Sequence, residues 1–166
     1  MDITRETIDI IKRCRELLCG VTPLGSDCGG LCSRVCCGGD DRTGMRLFPG
    51  EYELLQGSSF LEFYDGEGNY GFKTAVCRGR CDRSLRPFAC MIFPYFPMTD
   101  PPDARADIRA VGLCPILYKA LEVRDDFITS VISCAELMSD DPVLSDYVGQ
   151  VNAELDETLK LYELLG

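Results

Sequence analysis

The chain contains no histidine. That removes the commonest general acid–base side chain at neutral pH, and with it every nucleophile that relies on an imidazole. It also removes imidazole as a metal donor, so a soft metal bound here must be held by sulfur. No segment approaches the run of about 18–20 apolar residues that spans a bilayer. The first residues, Met1-Asp2-Ile3-Thr4-Arg5-Glu6, are charged from the second position and carry no apolar leader with a small-residue cleavage site. The expectation is a cytoplasmic protein that makes no membrane contact. Neither a P-loop nor a dinucleotide fingerprint is present. Internal repeats and low-complexity tracts are absent too.

Positive charge is in short supply. Against 27 acidic residues stand 17 basic ones, a formal net charge of −10. Thiolates closed around divalent metals would make the balance more negative still. Such a surface repels phosphate backbones, which excludes nucleic acid as the expected partner. The acidity is uneven: Pro115 to Gly166 holds 11 acidic and 3 basic residues, whereas Cys77 to Cys90 holds Arg78, Arg80, Arg83 and Arg86 against Asp82. A length of 166 residues with ordinary apolar and charged content predicts one domain able to bury a core without staples.

Cysteine is what the chain has in excess, 11 in all. The odd total forbids complete pairing within the chain, and a reducing compartment favours ligation over disulfides. Cys28, Cys32, Cys36 and Cys37 form one group, and Cys77, Cys81, Cys90 and Cys114 follow. Cys28-x3-Cys32, Cys32-x3-Cys36 and Cys77-x3-Cys81 have the spacing of metal knuckles. Eight sulfurs divide into two four-sulfur sites, the donor set of structural zinc or of iron–sulfur clusters. The partition between sites stays open. Cys36 and Cys37, being neighbours, are expected to serve different metals or different irons of one cluster. Calcium and magnesium are excluded as main occupants, because they want oxygen.

The pattern predicts a mainly helical α+β fold. N- and C-terminal helices, 2–20 and 115–165, frame a cysteine-rich core at 25–115 that contains a small β-hairpin and the metal knuckles. The first helix shows Ile3, Ile10, Cys14 and Leu17 at spacings of seven, four and three, and ends at Gly20 before Pro23. Gly25 to Gly44 has no helical period and suits converging sulfurs. Arg46-Leu47-Phe48 reads as a short strand, and Pro49 opens a helical turn through Leu55 that Gly57 stops. Phe60–Tyr64 and Tyr70–Val76 read as a hairpin that delivers Cys77 at its end. Ser84 to Phe93 reads as one short helix with Pro87 in its first turn, followed by an extended Phe93–Pro97. Met98–Arg105 is expected to be a loop, and Ile108–Leu113 a strand. Leu117, Leu121, Ile128, Val131, Ala135 and Met138 then hold a helix face. Asp141-Pro142 caps the last helix, with Leu144, Val148, Val151, Leu155, Leu159 and Tyr162 on one side. Cys14 and Cys134 are expected in the core, and Cys19 at the helix end is not expected to ligate.

On these residues the chain resembles the YkgJ-like cysteine-cluster family of zinc- or iron-chelating domains. The resemblance rests on Cys28…Cys32…Cys36-Cys37, on Cys77…Cys81, and on Arg86-Pro87-Phe88-Ala89-Cys90-Met91-Ile92-Phe93-Pro94, which matches an Arg-Pro-x-x-Cys-x-x-Phe-Pro signature. Arg46-Leu47-Phe48-Pro49-Gly50-Glu51 sits where the family has a strand, turn and helix. The match covers about Cys28 to Cys114, and three residues separate its first cysteines where the family's pattern has two. It implies metal chelation, and in some relatives a link to protein methylation through an iron–sulfur centre.

Three functional expectations follow. The first is a metal-binding protein with an eight-cysteine centre, most simply two zinc ions. The second is an iron–sulfur enzyme or electron carrier. The third is an interaction module that the metal staples and whose acidic helical face meets a protein partner. The arginines near Cys81 are expected to offset thiolate charge and donate hydrogen bonds to sulfur, with Arg86 reaching a sulfur or a carboxylate. The alternative for them is an anionic-substrate site. Cys90 is expected to point towards the knuckle thiols, with Phe93 packed over the centre. Asp40-Asp41, Asp125-Asp126 and Asp140-Asp141 are read as caps and solvated charge.

Overall fold

The structure is a computed structural model that describes residues 2–34, 44–66, 73–78, 81–99, 104–107, 113–117 and 123–165. It is α+β and mainly helical. In chain order the elements are α1 (Arg5–Leu17), β1 (Met45–Arg46), α2 (Glu51–Leu55), β2 (Leu61–Asp65), β3 (Lys73–Cys77), α3 (Phe88–Ile92), β4 (Phe96–Met98), β5 (Arg105–Asp107), α4 (Asp125–Ser139) and α5 (Pro142–Leu165). Single 3-10 turns occupy Cys28–Gly30 and Arg83–Leu85.

Helix α1 starts where Thr4 and Thr7 cap each other: the Thr7 amide donates to Thr4 Oγ1, and the Thr4 amide donates to Thr7 Oγ1. Its buried face is Thr7, Ile11, Cys14, Arg15 and Leu18. That corrects the face read from the sequence, because Ile3 and Leu17 lie exposed. The helix is rotated so that two polar residues, Thr7 and Arg15, point inward, and each finds a buried partner. The Thr7 hydroxyl donates to Asp141 Oδ2 at 2.8 Å. The other oxygen of Asp141 accepts the Val143 and Leu144 amides at 2.9 Å each, so the expected cap of α5 is present and also clasps α1.

Strand β3 is the middle of a three-stranded antiparallel sheet in the order β1-β3-β2. The β2–β3 hairpin pairs Leu61 with Cys77 and Asp65 with Lys73. Residues 67–72 of its loop lie outside the described residues. The sheet and α2 share a small core of Leu47, Leu55, Phe60, Leu61 and Ala75. A larger core gathers α1, α3, α4 and the start of α5 around Ile11, Phe88, Phe127, Val131, Leu144 and Tyr147. Phe48 stacks edge-on against both Phe88 and Tyr147, with centroids 4.8 Å apart in each case. Gly50 adopts φ +81, and a Cβ there would lie 2.9 Å from Ile8 Cγ1, so the α1–α2 approach requires glycine on both counts.

Several boundaries differ from the sequence reading. The expected helix over 84–93 is two pieces, a 3-10 turn and α3, because Pro87 holds an extended backbone between them. The expected loop at 98–105 leads into β5, which pairs with β4 as a second hairpin. The strand expected at 108–113 lies outside the described residues up to 112, and residues 113–117 form turns. Of the helix expected from 115, residues 115–117 form turns, 118–122, with Leu121, lie outside the described residues, and α4 starts at Asp125. Along α5, Leu144 and Val148 are buried, while Leu155 and Leu159 are half-exposed.

Candidate metal centre

Strand β3 ends at Cys77, and the chain then brings Cys81 beside the small core, where both sulfurs are half-buried. Arg86 reaches back to this point. Its Nε donates to Cys81 Sγ at 3.3 Å. Burial pulls the Arg86 guanidinium down, but the hydrogen bond to Cys81 and the nearness of Cys81, Asp27 and Cys90 outweigh it, and the net direction is up. Arg86 thus contacts Cys81, an expected ligand, and lines one cleft with Cys90, another, and with Asp27. The other described arginines of the cluster have carboxylate partners. Arg78 pairs with Glu62 at 3.0 Å and Arg83 lies 3.8 Å from Asp27, so these two offset carboxylates. Arg80 lies outside the described residues.

The segment that carries Arg86 and Cys90 is gripped from below by a buried ion pair. Arg15 of α1 donates to Glu51 Oε1 at 2.7 Å, and both side chains are nearly or wholly buried. The Arg15 guanidinium also donates to the carbonyls of Ser84, at 2.9 Å, and Arg86. Glu51 Oε1 accepts the Phe88 amide, and Oε2 accepts the Phe48 amide at 3.1 Å. Pro87 precedes α3 and offers no side-chain cap. Glu51 therefore caps α3 from another helix. Burial pushes the Glu51 carboxyl upward, against the pull of Arg15 and the two amides. Sequence reasoning missed this pair, because no local spacing links residue 15 to residue 51.

The remaining expected ligands are placed as follows. Cys28 begins the first 3-10 turn. Cys32 is half-buried and is followed by Ser33 and Arg34 at φ 53 and φ 57. Two successive non-glycine residues in the left-handed region cost about 1–2 kcal/mol each. Such conformations persist where the surroundings impose them. Cys36 and Cys37, like Asp40-Asp41, lie outside the described residues. Cys114 is buried in the larger core, where its Sγ accepts the Leu117 amide at 3.4 Å. Burial and the nearby Cys114 push the Tyr95 phenol up. Among the described residues, no three Cys, Asp or Glu side chains gather closely enough to hold a metal. Five of the eight expected sulfurs have described side chains; of these, Cys81 accepts a hydrogen bond from Arg86, and Cys90 lines a cleft with Arg86. The donor chemistry fits a soft metal: half-buried thiols, with a guanidinium and a backbone amide donating to sulfur.

A cleft with about 30 Å³ of open space lies between the end of α1, Asp27, Arg83, Arg86 and α3, and Cys19 and Cys90 both line it. Cys19 is exposed there. Cys14 and Cys134, both expected in the core, are fully buried and face each other across α1 and α4. Each sulfur lies against the other's carbonyl, at 3.9 and 3.6 Å. The contact with Cys14, reinforced by burial, pushes the Cys134 thiol far up, which makes it inert as a nucleophile. Among the described residues, no helix is long and apolar enough to cross a membrane.

Comparison of the chain with protein-family models, with curated proteins and with solved structures finds no match. The likeness to the cysteine-cluster family rests on the sequence motifs.

Proposed function

We propose that this chain is a cytoplasmic metal-binding protein of the YkgJ-like cysteine-cluster type. Its centre draws on Cys28, Cys32, Cys36, Cys37, Cys77, Cys81, Cys90 and Cys114, and takes two zinc ions or, in the same donors, an iron–sulfur cluster. The observation that carries the reading is Arg86, half-buried with its Nε on Cys81 and sharing a cleft with Cys90. A guanidinium taken out of water among thiols offsets negative charge that sulfur acquires on ligation. The left-handed backbone after Cys32 agrees with it, since a knuckle turns the chain sharply behind its ligand.

In this reading a bound metal supplies cross-linking of segments distant in sequence, or electron transfer if iron is present. The protein's own residues do the rest. Arg86 orients Cys81, and the α3 turn presents Cys90. Cys90 lines a cleft of about 30 Å³, room for about one water molecule.

Anaerobic purification followed by metal and acid-labile sulfide quantitation tests the proposal. Colourless protein with about two zinc per chain supports paired four-thiolate sites. Brown protein with stoichiometric iron and sulfide supports the cluster. Protein that takes up neither metal under reducing conditions refutes both.

A further inference from the structure

We infer that Arg15 and Glu51 are positioning residues of the sulfur centre: the buried pair fixes the backbone of residues 84–88 so that Cys81, Arg86 and Cys90 hold their mutual arrangement. The inference rests on the sulfur-centre reading and adds to it two residues that carry no sulfur, one of them outside the stretch resembling the cysteine-cluster family.

The geometry is specific. Three backbone groups of one short segment, the Ser84 and Arg86 carbonyls and the Phe88 amide, end on this single ion pair. The rest of its definition is local: Asp82 caps Ser84, and the Phe88 ring packs into the larger core. Its two turns are three and five residues long, and Pro87 between them donates no hydrogen bond. Cys90 lies two residues after the gripped Phe88 amide, in the first turn of α3. Arg86, whose carbonyl Arg15 holds, carries the guanidinium on Cys81. Glu51 is anchored in turn by the Phe48 amide and by α2, which Gly50 lets approach α1. Both oxygens of Glu51 accept hydrogen bonds, so an amide in its place would turn a donor towards one of three donors. Lysine in place of Arg15 keeps the charge but cannot span Glu51 and two carbonyls with a planar fork.

The experiment is an anaerobic cobalt(II) titration of metal-free full-length chain, read through the visible ligand-field bands, for wild type, Glu51→Gln, Arg15→Lys and Asp141→Ala. Asp141 holds a buried polar junction between α1 and α5, bonds to none of the expected ligands, and serves as the control for lost stability alone. Glu51→Gln and Arg15→Lys are expected to weaken cobalt binding roughly 10–100-fold, the usual effect of removing a group that orients a ligand, and to shift the bands. Asp141→Ala is expected to lower the melting temperature and leave affinity and bands as in wild type. Wild-type affinity and bands in Glu51→Gln, or equal weakening in Asp141→Ala, would overturn the inference. Site-resolved alkylation of the same metal-free proteins with iodoacetamide separates this from failure of the metal reading. Even if wild type takes up no cobalt, loss of the grip is expected to speed modification of Cys81 and Cys90 about 10-fold through local opening, with Cys14 and Cys134 unchanged. Equal rates at Cys81 and Cys90 in wild type and Glu51→Gln would sink it.

Discussion

Replacing Cys90 by serine and, separately, Cys134 by serine divides the sulfurs of this chain by role. Cys90 is half-buried near Arg86 and a cleft, while Cys134 is fully buried against Cys14. If Cys90 ligates, its loss removes the stability that bound metal adds, about 2.7 kcal/mol at a free metal concentration 100 times the dissociation constant. For a chain of this length that amounts to a melting shift of roughly 5–10 °C. The Cys134→Ser hydroxyl can still donate to the Cys14 carbonyl, so the cost is mainly lost packing of the larger sulfur, about 1 kcal/mol or 2–4 °C. Metal per chain by mass spectrometry and thermal melts with and without chelator give the readout. In Cys90→Ser the metal content falls and the chelator shift shrinks. In Cys134→Ser the metal content and the chelator shift are those of wild type, on a slightly lower baseline. Equal metal loss in the two variants refutes the assignment of ligands.

Other outcomes follow from the same geometry. Asp141→Ala removes the α5 cap and the acceptor of the buried Thr7 hydroxyl, for a loss of about 2–3 kcal/mol in urea unfolding. Gly50→Ala meets both a positive φ and the Ile8 side chain, and is expected to destabilise by about 1–3 kcal/mol, with α1–α2 packing lost first by hydrogen exchange. Asp82 is held below the ordinary carboxylate range by the Ser84 hydroxyl and then by the Ser84 amide. Because the folded value is depressed, its contribution is present above the ordinary range and is lost as pH falls through the folded value. An Asp82→Asn variant should therefore show a shallower acid limb in stability against pH than wild type, and an unchanged limb would contradict the cap.

The sequence revealed elements whose signals are local. Asp141-Pro142 is a cap written in two adjacent residues, and it caps α5 as expected. The hairpin ending at Cys77 followed from alternation and a glycine-rich turn. The face of α1 was misjudged for a physical reason. Thr7 and Arg15 are polar, so a hydropathy period skips them, yet they are buried because Asp141 and Glu51 satisfy them from 134 and 36 residues away. The β4–β5 hairpin was hidden by Pro97, which sits in a strand position where no amide is available to pair. At the candidate centre, the reach of Arg86 to sulfur was legible from its place in the motif. The grip of Arg15 on that motif was not, since a charged residue on an amphipathic helix looks the same whether it faces water or a carboxylate.

The trans cap on α3 bears on how this polypeptide can be dissected. Cutting out the cysteine-rich stretch alone would leave Glu51 behind without its guanidinium, an uncompensated charge in a dry setting that either takes up a proton or opens the surrounding structure. The sulfur-bearing region is therefore no detachable cassette. Any graft of it onto a foreign scaffold has to import an arginine at the same spot, even though that arginine comes from a helix outside the cysteine-rich stretch.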